Sequence, residues 1–236
     1  MLKMIRYISL MPVYLALLVS FLLLALAGSK TVTVLSMNTP VTNRKTVVID
    51  AGHGGVDGGA TSCTGVLESQ FNLEIALRLE DLMHLLGINT VMIRTTDCSV
   101  YTSGETIAQK KVSDLKERVR IVNSTENAIL VSIHQNHFSD GRYNGAQVFY
   151  AQTQGSNALA KQLQSSLIQA VNPMSHRQIK KADGIYLMQH ITCPAVLVEC
   201  GFLSNPQEEY WLRDKAYQQK LCSVIACVCS QFSLAK

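Results

Sequence analysis

Three apolar runs in this chain each end on a group that can bind a metal or move a proton. They are VVIDAGH at 47–53, ILVSIH at 129–134 and AVLVE at 195–199. Runs this uniformly apolar fit strands buried on both faces, which are found in parallel sheets covered by helices. In such a sheet the carboxyl ends of the strands share one edge, where α/β folds place their sites. His53, His134 and Glu199, far apart in sequence, are therefore expected to meet.

The segments between the runs supply the helices. Phe71, Ile75, Leu79, Leu82 and Leu86 step along one face of a helix over 69–86, with Glu74 and Arg78 as an i,i+4 pair and Gly87 as its stop. A strand is expected at 90–94, a polar loop at 98–112 and a helix at 113–123 carrying Leu115, Val119 and Val122. Another strand follows at 146–150, then a helix marked by Leu159, Leu163 and Leu167. Residues 172–184 read as a mobile loop, and Asn205-Pro206 opens the closing helices, the last with Leu221, Val224, Ile225, Val228 and Phe232 inward. The fold class is α/β: a single domain with a twisted, mostly parallel sheet flanked by helices on both faces. It spans 46–234, behind a signal or anchor helix at 1–28 and a polar linker at 29–45.

The amino-terminal segment sets the compartment. Residues 7–27 contain no charged side chain and follow Lys3 and Arg6. Twenty apolar residues span a bilayer core, so this is an uncleaved anchor or a long signal peptide cut after Ala25-Leu26-Ala27. Either route exports the rest, through or onto a membrane held by the amino-terminal segment. It also explains the charge. Of 21 Lys and Arg, three lie in the first 30 residues, which hold no acid, leaving 18 against 17 acids. A near-neutral remainder gives no electrostatic basis for nucleic-acid binding. The seven cysteines, an odd number without a CxxC pair, read mostly as buried free thiols.

Two histidines and a carboxylate suit zinc, whose catalytic sites have three protein ligands and an open fourth position. Glu68 begins the first helix, whose first turn can return to the strand edge. On this reading His53, Glu68 and His134 hold one zinc ion. Glu199 is the base that carries a proton from water to a leaving nitrogen, helped by a burial that raises its pKa. No HExxH helix is present. Other readings stand beside this one. GHGGVDGG could cradle a phosphate, although no Lys-Ser/Thr follows it. Cys63 or Cys200 could be a nucleophile paired with a histidine. Each histidine could be purely structural. His84, His137, His176 and His190 read as surface or loop residues, with His137 a candidate to support the metal from behind.

Several segments in a fixed order carry a resemblance: VVIDAGHGGVDGGA (47–60), Glu68 with Asn72, IRTTD (93–97), LKERVRIVN (115–123), SIHQNHF (132–138), GAQVFY (145–150) and PAVLVECGFLSN (194–205). The chain resembles the zinc-dependent N-acetylmuramoyl-L-alanine amidases of the type-3 class, and within them the spore-cortex, germination-specific branch. The resemblance implies zinc ligands at His53, Glu68 and His134 and a catalytic glutamate at Glu199. It implies cleavage of the amide between N-acetylmuramic acid and L-alanine in peptidoglycan glycan-peptide strands, in cortex as the first step towards muramic-δ-lactam. Only 64 residues separate His134 from Glu199, which leaves little space for the inhibitory helix of some division amidases. Control by an activating partner protein is the expectation instead. The family has a small residue where this chain has His137. A non-catalytic peptidoglycan-binding scaffold and another zinc peptidase or deacetylase of the wall are the competing functions.

Overall fold

A computed structural model describes residues 45–234. The signal or anchor segment and nearly all of the linker lie outside the described residues. Among those described, no helix is long and apolar enough to cross a membrane.

The strands are β1 (Thr46–Ala51), β2 (Asn89–Met92), β3 (Ala128–Asn136), β4 (Gln147–Tyr150), β5 (Lys180–Lys181) and β6 (Ala195–Phe202). They form one six-stranded sheet in the order β2-β1-β3-β6-β4-β5. β2, β1, β3 and β6 run parallel, whereas β4 is antiparallel to β6 and carries β5 parallel to itself. The helices are α1 (Glu68–Leu85), α2 (Ile107–Ser124), α3 (Ser156–Ala170), α4 (Tyr186–His190), α5 (Pro206–Arg213) and α6 (Lys215–Leu234).

Strand alternation divides the core into two layers. Val47, Ile49, Ile129, Val131, Ile133, Val196 and Val198 face α1, α3 and α6. Val48, Leu130, Ala195 and Leu197 face the other way, towards Val122 of α2 and Leu187 and Met188 of α4. The central strands are thus apolar on both faces over most of their length, because both faces are covered. The polar side chains Asp50, Ser132, His134 and Glu199 fall on the α2/α4 face of the same strands, by the same alternation.

Several sequence expectations shift. The buried face of α1 is Phe71, Ile75, Ala76, Leu79 and Met83, while Leu86 is exposed beyond the helix end. Glu74 and Arg78 are not linked directly: Gln218 of α6 accepts from Arg78 Nε at 3.1 Å and donates to Glu74 Oε2 at 3.2 Å. α2 begins within the expected polar loop, because Thr106 and Gln109 form a reciprocal capping box there. The expected mobile loop at 172–184 contains β5, paired to Phe149 and Tyr150. The thiols are all free, but only Cys200, Cys222 and Cys229 are buried; Cys63, Cys98 and Cys227 are exposed.

Candidate metal centre

His53 stands on the turn that follows β1, at φ 60, a left-handed conformation that non-glycine residues rarely adopt. Two buried arginines hold that turn by its carbonyl oxygens. Arg94 donates to Ala51 O at 2.8 Å and Gly52 O at 3.0 Å. Arg118 donates to Ala51 O at 3.0 Å and His53 O at 2.8 Å. Arg118 is in turn paired with Asp50 and, at 2.6 Å, with Asp114. Left-handed strain costs about 1–3 kcal/mol and persists where the surroundings over-determine it; here four hydrogen bonds and two ion pairs do so.

Two glycines make room for the ligands. A Cβ on Gly52 would lie 2.2 Å from His134 Nε2, and one on Gly59 would lie 2.6 Å from Glu68 Oε2 and 2.7 Å from His53 Cδ2. The amides of this loop are already engaged: Gly54 and Asp57 bond each other's carbonyls, and Gly55 donates to Asp97. The phosphate-cradle reading therefore loses its donors.

Glu68 is the first residue of α1, where a helix N-terminus favours a carboxylate. Ala60 N donates to its Oε2 at 3.0 Å, and Gln135 N to its Oε1 at 3.1 Å. The same carboxylate meets His53 Nε2 at 3.3 Å and His134 Nδ1 at 3.0 Å. The two imidazoles stand edge to face with centroids 5.0 Å apart. One donor atom from each of His53, Glu68 and His134 lies within 4.8 Å of the other two. Two neutral nitrogens and one carboxylate oxygen, converging from three elements, fit a zinc ion with an open position.

Glu199 is directly opposite His134 in the β3–β6 register. Its Oε2 atom is sealed from solvent and has no hydrogen-bond partner among the described residues. Burial, with a smaller push from Glu68, raises its pKa to about 7 against the pull of His134 and His53. Glu68 behaves oppositely. Burial would raise its pKa, but hydrogen bonds and charge attraction from His134 and His53 hold it far below the carboxylate range. Two carboxyls whose surroundings drive their pKa values apart mark an acid–base assignment. Burial opposes charging of His53, but Glu68 and Asp57 outweigh it and raise its pKa.

His53, Asp57, His134 and Glu199 open on a cavity of about 220 Å³, also lined by Lys111, Asp114, Leu115, Ile185 and Leu187. A larger groove, about 900 Å³, runs along α2 between Thr102 and Arg120 and holds none of them. The structure thus brings together all four residues singled out from sequence. His84, His137, His176 and His190 are exposed. Cys200 is buried and its thiol pKa is pushed up by that burial, the opposite of what a thiolate nucleophile needs. Sequence reasoning missed Asp57, whose Oδ2 meets His53 Nδ1 at 3.0 Å and Lys111 Nζ at 3.1 Å. It also gave no role to Arg94 or Arg118, although both lie in segments that carried the resemblance.

Comparison with known proteins places the chain. The family described as N-acetylmuramoyl-L-alanine amidase (Amidase_3) matches residues 47–228. The germination-specific N-acetylmuramoyl-L-alanine amidase of Bacillus subtilis is 37% identical over 183 residues, 77% of this chain and 76% of that protein. The CwlD amidase of Clostridioides difficile, solved in complex with the GerS lipoprotein, superposes with a TM-score of 0.76 at 38% identity, covering 80% of this chain and 98% of that one. An N-acetylmuramoyl-L-alanine amidase from Clostridium difficile 630 gives 0.70 at 32% identity, covering 81% and 97%.

Proposed function

We propose a specific chemistry for a chain that belongs to the N-acetylmuramoyl-L-alanine amidase family: hydrolysis of the lactyl–L-alanine amide of peptidoglycan with one zinc ion held by His53, Glu68 and His134. A zinc ion in that set supplies Lewis acidity, polarising the lactyl carbonyl and lowering the pKa of water. Glu68, ionised throughout the working range, offsets part of the ion's charge and aligns both imidazoles. Asp57 accepts from His53 Nδ1, which fixes the tautomer that leaves Nε2 facing the site. Arg94 and Arg118 keep the turn beneath His53 from relaxing.

Glu199 is the proton carrier. It takes a proton from the attacking water and delivers it to the alanine nitrogen, so that the amine departs neutral as the carbon–nitrogen bond breaks. One observation carries this role above the others: Glu199 Oε2 is a buried, partnerless carboxylate oxygen in register with His134. A structural carboxylate in that position would have donors, as Glu68 has.

The relatives support a setting as well. A Bacillus subtilis relative is named germination-specific, and that likeness supports spore cortex as the substrate and the step towards muramic-δ-lactam as its purpose. The CwlD amidase was solved with a lipoprotein, which supports an activating partner protein here. Residues 1–28 would export the chain or hold it at the membrane, 29–45 would be a linker and 46–234 the catalytic domain, acting outside the cytoplasmic membrane. The test uses two variants on purified peptidoglycan. Glu199→Gln is expected to keep zinc and lose roughly 10²- to 10⁴-fold in turnover, and His134→Ala to lose zinc. Full activity in either variant would overturn these roles.

A further inference from the structure

The row of polar groups along the strand edge does not stop at Glu199. In the antiparallel β4–β6 pair, Gln147 stands directly opposite Glu199, so their side chains share a face as close neighbours. Gln147 is buried, and its Oε1 accepts from Arg177 Nη1 at 3.0 Å. Read across the sheet, the order is His53, His134, Glu199, Gln147, Arg177.

Arg177 differs from most of the other described arginines, although Arg78 likewise bonds a glutamine, Gln218. Arg118, Arg120, Arg142 and Arg213 each pair with a carboxylate, and Arg94 gives its donors to carbonyls. Arg177 has no carboxylate at ion-pair distance among the described residues. The acid that faces it, Glu208, already accepts from Gly145 N and Phe202 N with its two oxygens. The guanidinium is nevertheless held rigidly. Its Nε donates to Asn144 O at 2.6 Å, and its Cζ lies over the Phe202 ring, 4.4 Å from the centroid. Its Nη2 group makes no hydrogen bond among the described residues. Tyr143 stacks on the same Phe202 at 6.2 Å and is itself half exposed. A fixed, half-buried guanidinium with a spare donor edge is preorganised for a carboxylate.

Resting on the amide-hydrolysis reading above, we propose that Arg177 is the subsite that reads a carboxylate on the peptide side of the scissile amide, with Gln147 and Phe202 fixing its plane. With the amide held between His134 and Glu199, a peptide continuing along the row reaches Arg177 next. The matching group is the free α-carboxyl of an acidic second residue of the stem peptide.

The test compares glycan strands whose stem peptides carry that α-carboxyl free with strands in which it is amidated. The wild-type enzyme is expected to favour the free acid by at least about 10-fold in kcat/KM, mostly through KM. Arg177→Gln is expected to erase the preference, and Arg177→Lys, which keeps charge without the fork, to retain part of it. A merely structural role would lower both substrates alike and leave their ratio unchanged, and that result overturns the subsite. So does a wild-type enzyme that cleaves both equally. Cleavage of neither would overturn the amidase reading itself. Thermal unfolding and zinc content report whether the variants fold; if Arg177→Gln does not, an unreduced preference in Arg177→Lys overturns the proposal.

Discussion

Glu199 gives a stability prediction that is independent of turnover. Its pKa is about 7 in the folded protein against an ordinary 4.5, because burial strips solvent from the carboxylate. Below about pH 4.5 the group is protonated in both states and has no effect on stability. As pH rises, the unfolded chain releases the proton first, so folding stability is lost progressively and levels off above about 7. The gap between 4.5 and about 7 corresponds to about 3 kcal/mol. Glu199→Gln removes this ionisation. The amide that replaces it is also unpartnered, at a cost of roughly 1–2 kcal/mol, but that cost does not vary with pH. Urea titration of zinc-stripped wild type and Glu199→Gln at pH 5 and pH 8 isolates the ionisation. The variant's advantage is expected to be about 2–3 kcal/mol larger at pH 8 than at pH 5. A difference that does not change with pH, or shrinks as pH rises, would refute the claim that Glu199 sits uncompensated in the folded site.

Three further outcomes follow from the same geometry. Gly52→Ala should lose zinc binding in metal analysis, because its Cβ would lie 2.2 Å from His134 Nε2 and the ring would be displaced. Asp57→Asn should weaken zinc affinity by roughly 10- to 100-fold in a chelator competition, since it disturbs the acceptor that orients His53. Arg118→Met should cost about 3–5 kcal/mol in urea unfolding, because it leaves the buried Asp50 carboxylate without its partner.

The sheet and the convergence of His53, His134 and Glu199 were legible in the sequence because each signal was local, whereas the place of Glu68 depended on how the first helix returns to the strand edge. An apolar run ending in a polar group marks a strand's carboxyl end, and parallel pairing then forces convergence. What could not be read depended on partners distant in sequence. Arg118 looks like one charge on a helix, yet it is buried beneath His53 and neutralised by Asp50, 68 residues away. Gln218 separates Glu74 from Arg78 only because α6 packs on α1. The start of α2 was missed for a different reason. The capping box at Thr106 and Gln109 lies inside a polar stretch whose composition suggested a loop, and local capping prevailed over composition. Arg177 belonged to a segment read as mobile, and its place beside Gln147 follows from the pairing of β5 with β4.

His53, Glu68 and His134 are proposed to hold a zinc ion, with Glu199 moving the proton as water cuts the muramoyl–alanine bond. Zinc content measured together with product mass on spore-type peptidoglycan tests it most directly. The expected result is one zinc per chain, released stem peptides with a free L-alanine amino terminus, and muramic acid left bare on the glycan. A chain that cuts without zinc, or that releases fragments opened at any other bond, would contradict it.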